Sequence, residues 1–179
     1  MVYLFLANGF EEIEALTPVD MLRRAGIEVT TVSINKDRSV YGAHNIQVVA
    51  DKTTDEVEPI DIDAVILPGG LPGADNLRMD KTVNIFIDKA SKNNKLLCAI
   101  CAAPRILGEK GLLNGKKAVC FPGFEEYLEG ATIADCGCVR TDNVITAKSM
   151  GKAVEFSTEI ISALKDKETA DRIKNSIFA

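Results

Sequence analysis

The sequence predicts a doubly wound α/β fold, in which a mostly parallel sheet carries helices on both faces. Short apolar runs typical of buried strands alternate with longer segments whose apolar residues recur at helical spacing. Parallel neighbours cannot be joined by a tight hairpin, so each strand–helix–strand unit implies a right-handed crossover. No linker, repeat or shift of composition divides the chain, and we expect a single domain over residues 1–179.

The first strand–helix–strand unit opens the chain. Val2–Ala7 is a continuous apolar run that ends at Asn8-Gly9, which predicts a buried strand. Glu11–Ala25 carries an apolar stripe at helical spacing, and Gly26 closes this predicted helix. Glu28–Ile34 is rich in β-branched residues and predicts the second strand.

The same alternation continues through the rest of the chain. Residues 36–55 alternate weakly and predict a short hairpin or an excursion at the sheet edge. The further predicted strands are Ala64–Leu67, Lys95–Ala99, Lys117–Cys120 and Val144–Ala147. The further predicted helices are Thr82–Asn93, Ala102–Lys110, Gly151–Leu164 and Glu168–Ile177. In such a fold a ligand binds beyond the carboxyl ends of the strands, where Gly9, Gly69-Gly70 and Cys101 fall.

Composition narrows the classes of partner. The net charge is −5 and no basic cluster exceeds two adjacent residues, so nucleic acid is not an expected partner. The apolar run Val2–Ala7 is too short for a signal peptide or a membrane span, and we expect a cytoplasmic protein without membrane contact. Five cysteines in such a chain indicate free thiols rather than disulfides. With a single histidine, no metal or other cofactor is expected.

Cys101 is the first candidate for chemistry. It stands where the buried run Lys95–Ala99 gives way at once to a predicted helix, and a side chain on so sharp a turn points into the cleft above the sheet. The helix N-terminus favours negative charge there, so we expect a thiol with a lowered pKa. The serine of α/β-hydrolases occupies the same kind of turn, although their G-x-S-x-G pattern is absent. The alternative is a small buried hydrophobic residue.

Two neighbouring features would complete a site around this thiol. Gly69-Gly70 ends an adjacent strand and could form an oxyanion hole with the N–H of Ala102. The alternative is a simple strand-end turn. Glu14 either complements the helix dipole or points into the cleft, where burial would raise its pKa and let it donate a hydrogen bond to a thiolate.

The other candidates carry weaker signals. His44 is either a solvated surface residue or the base of a cysteine–histidine pair, and nothing in the sequence places it beside Cys101. Cys98 lies inside a predicted strand, which favours a core position over a thioredoxin-like role. Cys136 and Cys138 alternate along one predicted strand and would share a face, where packing or incidental oxidation explains them.

Several motifs together resemble those of a known family. They are Gly9-Phe10-Glu11-Glu12-Ile13-Glu14, Pro18-Val19-Asp20, Leu67-Pro68-Gly69-Gly70, Gly73-Ala74-Asp75-Asn76-Leu77, Cys98-Ala99-Ile100-Cys101-Ala102-Ala103-Pro104 and Glu155-Phe156. The chain resembles the ThiJ/PfpI family, in its DJ-one branch, within the class I glutamine amidotransferase-like superfamily. The likeness covers nearly the whole chain.

The resemblance implies a flavodoxin-like fold, a homodimer and a small aldehyde or glycated substrate. It implies that Cys101 is the nucleophile and the oxidisable cysteine, and that Glu14 is the protonated carboxyl that holds it. Gly69, Gly70 and Ala102 would supply the backbone N–H groups. Relatives are credited with glutathione-independent glyoxalase activity, with deglycase activity on early glycation adducts, and with redox-regulated chaperone activity.

Two positions depart from the family pattern, and two others bear on the function. Phe121 occupies the place where many relatives with glyoxalase activity have a histidine, and Ala103 replaces a glycine. Ala102 stands where the protease-like branch has a histidine, which disfavours peptidase activity. For the same reason an amidase or hydratase is a less favoured alternative. His44 falls near an arginine that in relatives reaches toward the partner's site. Two hypotheses remain: an enzyme acting on reactive carbonyls, and a stress sensor or chaperone in which Cys101 is oxidised to a sulfinate without turnover.

Overall fold

The computed structural model describes all 179 residues, which form eleven strands and six α-helices. The strands are β1 (Val2–Leu6), β2 (Val29–Ser33), β3 (Ser39–Tyr41), β4 (Gln47–Val49), β5 (Lys52–Thr53), β6 (Ala64–Leu67), β7 (Leu96–Ile100), β8 (Lys117–Ala118), β9 (Thr132–Ile133), β10 (Cys138–Thr141) and β11 (Val144–Ala147). The helices are α1 (Glu12–Arg24), α2 (Gly73–Met79), α3 (Lys81–Lys92), α4 (Pro104–Glu109), α5 (Ala153–Leu164) and α6 (Lys167–Ser176). None of these helices is both long and apolar enough to span a membrane.

Seven strands form one sheet in the order β10-β11-β7-β6-β1-β2-β5. Every neighbouring pair is parallel except β10 and β11, which are antiparallel. The mostly parallel α/β architecture predicted from the sequence is therefore confirmed. The central strands are buried along their whole length, as their continuous apolar runs predict.

Helices cover both faces of this sheet, and the alternation of side chains along β1 shows how. Leu4 and Leu6 point to one face, in a core shared with α1, α5 and α6. Tyr3 and Phe5 point to the other face, in a core shared with α3 and α4, where both rings meet Phe86 edge to face. Full burial of such side chains stabilises the fold by about 1.5–3 kcal/mol each, so both layers are held firmly to the sheet.

The parallel register brings the chemistry-bearing turns to one edge of the sheet. β1 pairs with β6, and β6 pairs with β7, so their carboxyl ends lie side by side. Asn8-Gly9, Gly69-Gly70 and Cys101 follow these three ends. The predicted strand bounds of Ala64–Leu67 and Val144–Ala147 agree with the observed strands.

Three local predictions are corrected. The strand predicted at Lys117–Cys120 ends at Ala118 and pairs with β9 outside the main sheet. Helix α2 was not predicted, because its short Gly- and Pro-flanked sequence is typical of a turn. Cys136 precedes β10 rather than lying on it, so Cys136 and Cys138 do not share one strand face. The hairpin expected within residues 36–55 is present as β3 and β4.

Candidate active site

Cys101 lies on a sharp turn between β7 and the segment that leads into α4. Its φ is +64°, a left-handed conformation that is uncommon for residues other than glycine and costs on the order of 1 kcal/mol or more. The backbone is fixed from both sides: the Cys101 N–H donates to the Ala147 carbonyl at 2.9 Å, and its own carbonyl accepts from the Phe121 N–H at 2.8 Å. The thiol is partly exposed. The sequence therefore indicated the turn correctly.

The carboxyl group of Glu14 lies beside this thiol. Glu14 is in the first turn of α1 and is only 1% exposed. Its Oε2 accepts from the Gly69 N–H at 2.9 Å, and its side chain also bonds the Cys101 thiol. The backbone N–H of Met150 also acts on this carboxyl and lowers its pKa. The sequence left two alternatives for the Glu14 side chain, and in the structure it points into the cleft beside Cys101.

Gly69 and Gly70 let the backbone approach this pair closely. A Cβ at Gly69 would lie 2.5 Å from the Cys101 Cβ and 2.6 Å from the Glu14 Oε2, so no side chain fits between the thiol and the carboxyl. Gly70 has a φ of +85°, and a Cβ there would meet the backbone of Glu11. The backbone N–H groups of Gly70 and Ala102 act on the Cys101 sulfur in the direction that lowers its pKa. They are the donors available where negative charge would develop on the thiol.

The pKa values at this pair differ from the expectation for the thiol. Burial raises the pKa of Glu14 to about 7, in the predicted direction. The pKa of the Cys101 thiol is raised to about 12 by burial and by the negative charge and hydrogen bond of Glu14, although the N–H groups of Gly70 and Ala102 oppose this. The lowered thiol pKa predicted from the helix terminus alone is therefore wrong, because it left out the burial of the thiol and the charge of Glu14.

The two groups titrate as one coupled pair. The high thiol pKa belongs to the state in which Glu14 already carries a charge, since that charge is one of its causes. The pair therefore loses its first proton near pH 7 and holds the second one tightly. The first negative charge therefore lies on the Glu14 carboxylate, which accepts from the Gly69 N–H, and the Cys101 thiol keeps the remaining proton.

His44 pairs with Glu12 instead of Cys101. The buried carboxylate of Glu12 accepts from the His44 backbone N–H at 2.8 Å and lies 2.7 Å from its Nδ1. Burial opposes ionisation of Glu12, but these hydrogen bonds lower its pKa, and the same contact raises the pKa of the exposed imidazole. Together with Glu11 they bring three ligand atoms within 4.8 Å of one another. Glu11 is already engaged, because it caps the Glu14 N–H at 2.7 Å.

The remaining predicted residues have clear positions. The side chain of Phe121 is 43% exposed, and its backbone N–H donates to the Cys101 carbonyl. The turn that carries Cys101 is called the elbow below. Cys98 is fully buried in β7, as its place in the strand predicted. Met150 was missed by the sequence reasoning, since a backbone N–H leaves no signal in side-chain identity. It reaches Glu14 from a 3₁₀ turn 136 positions further along the chain.

Comparison with known proteins adds the family. The model of the DJ-1/PfpI family matches residues 1–163. Protein dj-1beta of Drosophila melanogaster is 31% identical over 98% of this chain and 95% of its own. Protein DJ-1 homolog B of Arabidopsis thaliana is 35% identical over 98% of this chain, which spans only 41% of that protein.

A solved structure gives the same relationship in three dimensions. Oxidised Toxoplasma gondii DJ-1 superposes with a TM-score of 0.95 at 32% identity, covering 99% of this chain and 97% of that one. The sheet order, the elbow at Cys101 and this match agree on a flavodoxin-like α/β fold. The chain belongs to the DJ-1/PfpI family.

Proposed function

We propose that this protein is a cysteine-dependent enzyme that acts on small reactive carbonyls, as a glutathione-independent glyoxalase or a deglycase. The observation that carries the proposal is the Cys101 thiol, held at a left-handed φ between the carboxyl of Glu14 and the N–H groups of Gly70 and Ala102. A nucleophile, an acid/base group and donors for an oxyanion are the parts that addition to a carbonyl needs. Family membership supports the proposal.

For a 2-oxoaldehyde such as methylglyoxal, the reaction begins with addition of the Cys101 thiolate to the aldehyde carbon. The aldehyde oxygen takes the electron pair and becomes an oxyanion, which the N–H groups of Gly70 and Ala102 stabilise. Glu14 protonates this oxygen and gives a hemithioacetal. In the glycation-adduct variant, the same thiol attack precedes release of the amine.

Glu14 then moves protons within the bound intermediate. Its carboxylate takes the proton from the former aldehyde carbon, and a proton returns to the neighbouring carbon, which converts the hemithioacetal into a thioester of the hydroxy acid. Water cleaves the thioester, releasing lactate and the thiol, so the net change is methylglyoxal plus water to lactate. A pKa near 7 suits an acid/base group that must both give and take protons at neutral pH.

The experiment follows D-lactate formation from methylglyoxal by the wild type, Cys101→Ser and Glu14→Gln. Both variants should lose at least about a hundredfold in rate, the usual scale for removing an acid/base group or a nucleophile. Cys136→Ser is the matched control, a partly exposed thiol on another part of the molecule, and should retain full activity. Turnover that survives in both site variants would remove the proposal.

We also propose that the protein works as a homodimer whose partner borders this site. Three exposed apolar side chains lie on elements linked to the site: Ile13 on α1 beside Glu14, Met150 on the turn whose N–H acts on Glu14, and Ile46 on the β3–β4 hairpin. The hairpin is tied to α1 by the Glu12–His44 contact. Such a set of apolar groups favours association with a second copy.

A second function is favoured by a specific observation at Phe121. No imidazole is available from that position for the proton transfers, while the donors around Cys101 could equally hold the oxygens of a sulfinate. In this alternative the protein is a redox sensor or chaperone, and protonated Glu14 donates to oxidised Cys101. The structurally similar Toxoplasma gondii protein was solved in an oxidised form.

Intact mass after mild peroxide tests this second function. The wild type should gain two oxygens that are absent in Cys101→Ser and reduced in Glu14→Gln. Oxygen spread evenly over all five cysteines would exclude Cys101 as a selective sensor. Rapid D-lactate formation by unoxidised protein would favour the enzyme instead.

A further inference from the structure

A second pair of thiols lies apart from Cys101, in the sequence Cys136-Gly137-Cys138. Cys138 is the first residue of β10, which is an edge strand of the main sheet. Both thiols are partly exposed, whereas those of Cys98 and Cys120 are buried. Apart from Cys101, these are therefore the only cysteines that an oxidant can reach directly.

The backbone holds the two cysteines close together. Residues two apart are separated by at most about 7 Å between Cα atoms even in a fully extended chain. Here the chain bends over 135–137 immediately before the strand, which shortens that separation. A disulfide needs Cα atoms roughly 4.4–6.8 Å apart, so closing a bond between Cys136 and Cys138 asks for only a local adjustment.

Two contacts at Gly137 hold this segment in place. The side chain of Lys152 crosses the face of Gly137 so closely that a Cβ there would overlap its Cε and lie 2.9 Å from its Nζ. The Gly137 carbonyl accepts from the Lys148 N–H at 2.9 Å, which fixes the bend. The Lys152 ammonium lowers the pKa of the Cys138 thiol, but burial and the charges of Glu155 and Glu159 outweigh it and raise that pKa to about 12, so Cys138 reacts as the second thiol and not as the first.

We propose that Cys136 and Cys138 form a reversible redox centre, which hydroperoxides oxidise to a disulfide independently of Cys101. The Cys136 thiolate attacks one peroxide oxygen, the O–O bond breaks, and the thiolate becomes a sulfenic acid while one water leaves. The Cys138 thiol then attacks the Cys136 sulfur, the S–O bond breaks, and a second water leaves with the disulfide in place. Two thiols and one hydrogen peroxide give one disulfide and two waters.

This centre differs chemically from the thiol of the elbow. Cys98, three positions before Cys101, is buried inside β7 and offers no accessible partner thiol, so oxidation of Cys101 proceeds to oxygen-bearing acids. The Cys136–Cys138 pair instead stops at a disulfide that thiol reductants reverse. Oxidation of this pair requires none of the proposed carbonyl chemistry at Cys101.

Peptide mapping after oxidation tests the proposal on the whole protein. Wild-type protein is treated with hydrogen peroxide at equimolar amount, its free thiols are alkylated, and it is digested with trypsin. Cys120, Cys136 and Cys138 share the peptide spanning 118–140, while Cys98 and Cys101 share the one spanning 96–105. We expect the first peptide to lose two hydrogens, with Cys120 alkylated, and to regain two alkyl groups after dithiothreitol.

Variants separate the pair from every other thiol. Cys101→Ser should form the disulfide to the same extent as the wild type, whereas Cys136→Ser and Cys138→Ser should form none. Cys136→Ser changes a side chain outside both cores and is expected to fold, which its circular dichroism spectrum checks. A cross-link between the two peptides, a disulfide that survives in Cys136→Ser, or oxygen addition alone at these positions would each overturn the proposal.

Discussion

The buried carboxyl of Glu14 lies between the Gly69 N–H and the Cys101 thiol, and the pair shares one proton at neutral pH. The reactivity of the thiol therefore follows the pair and not the cysteine alone. Residue identities were enough to indicate both groups, because each stands at a recognisable place beside a strand end. They could not give the direction of the thiol pKa shift, which depends first on burial and then on a charge 87 positions earlier in the chain.

The pH dependence of alkylation should report this shared proton. In the wild type, iodoacetamide labelling of Cys101 is expected to level off above about pH 7, because the charge that Glu14 gains there opposes formation of the thiolate. In Glu14→Gln that charge is absent, so the pKa of the Cys101 thiol should be lower than in the wild type. Labelling above pH 7 should then keep rising and exceed that of the wild type by about tenfold or more at pH 9. Identical profiles for the two proteins, read from the 96–105 peptide, would contradict the coupling.

The pKa shift of Glu14 should also make the free energy of unfolding depend on pH. Its pKa in the fold is raised from 4.5 to about 7, so the folded state binds the proton more tightly than the unfolded chain. That contribution is fully present below about pH 4.5 and is lost as pH rises toward 7. Glu14→Gln should thus be more stable than the wild type at pH 8, by about 2–3 kcal/mol, and similar to it at pH 4. Guanidinium unfolding at the two pH values measures this, and an equal difference at both would exclude ionisation as its cause.

At the scale of the elements, the site is made where β1, β6 and β7 end side by side. The apolar runs predicted these strands because a doubly covered parallel sheet needs continuous burial. Helix α2 and the strand at Lys117 were less predictable, since short elements are fixed by tertiary contacts more than by local pattern. The approach of the Met150 N–H to Glu14 was equally unpredictable, because only the path of the chain after β11 brings the two residues together.

The junction after β6 gives a steric prediction. Gly69→Ala would place a methyl group 2.5 Å from the Cys101 Cβ and 2.6 Å from the Glu14 Oε2, so the two groups must separate. We expect D-lactate formation to fall by about tenfold or more, on the scale of a misplaced acid/base group. Gly115→Ala, where a Cβ meets nothing within 4 Å, controls for glycine replacement. Full activity in Gly69→Ala would show that the close approach is dispensable.

A substitution in the segment after β8 is expected to increase the activity. The Phe121 N–H bonds the Cys101 carbonyl, so a side chain at this position starts next to the elbow. Phe121→His should raise D-lactate formation, by about a hundredfold if the imidazole transfers protons as general acid–base groups do. Phe121→Leu removes the ring without adding a base and should leave the rate unchanged. An equal rise in both variants would attribute the gain to space instead of proton transfer.

At the scale of the whole molecule, the proposed dimer follows from where the apolar surface lies. Ile13 is 47% exposed next to Glu14, and Met150, whose N–H lowers the pKa of that same carboxyl, is 53% exposed. We expect wild-type protein to sediment at twice the chain mass of 19.3 kDa, and Ile13→Asp to sediment as a monomer. Ile85→Asp on α3 changes an isoleucine of similar exposure, 53%, and should remain a dimer.

The same variants connect assembly to the chemistry. Ile13 is adjacent to Glu14 in the chain, so a partner packed on Ile13 would exclude water from the mouth of the cleft and strengthen the electrostatic interactions inside it. The monomeric Ile13→Asp should therefore turn over methylglyoxal more slowly at low protein concentration, and its labelling profile should shift from pH 7, while Ile85→Asp matches the wild type in both. If Ile13→Asp and Ile85→Asp sediment alike, the face around the cleft is not the contact between copies. A monomeric Ile13→Asp with unchanged turnover would instead place the complete site within one chain.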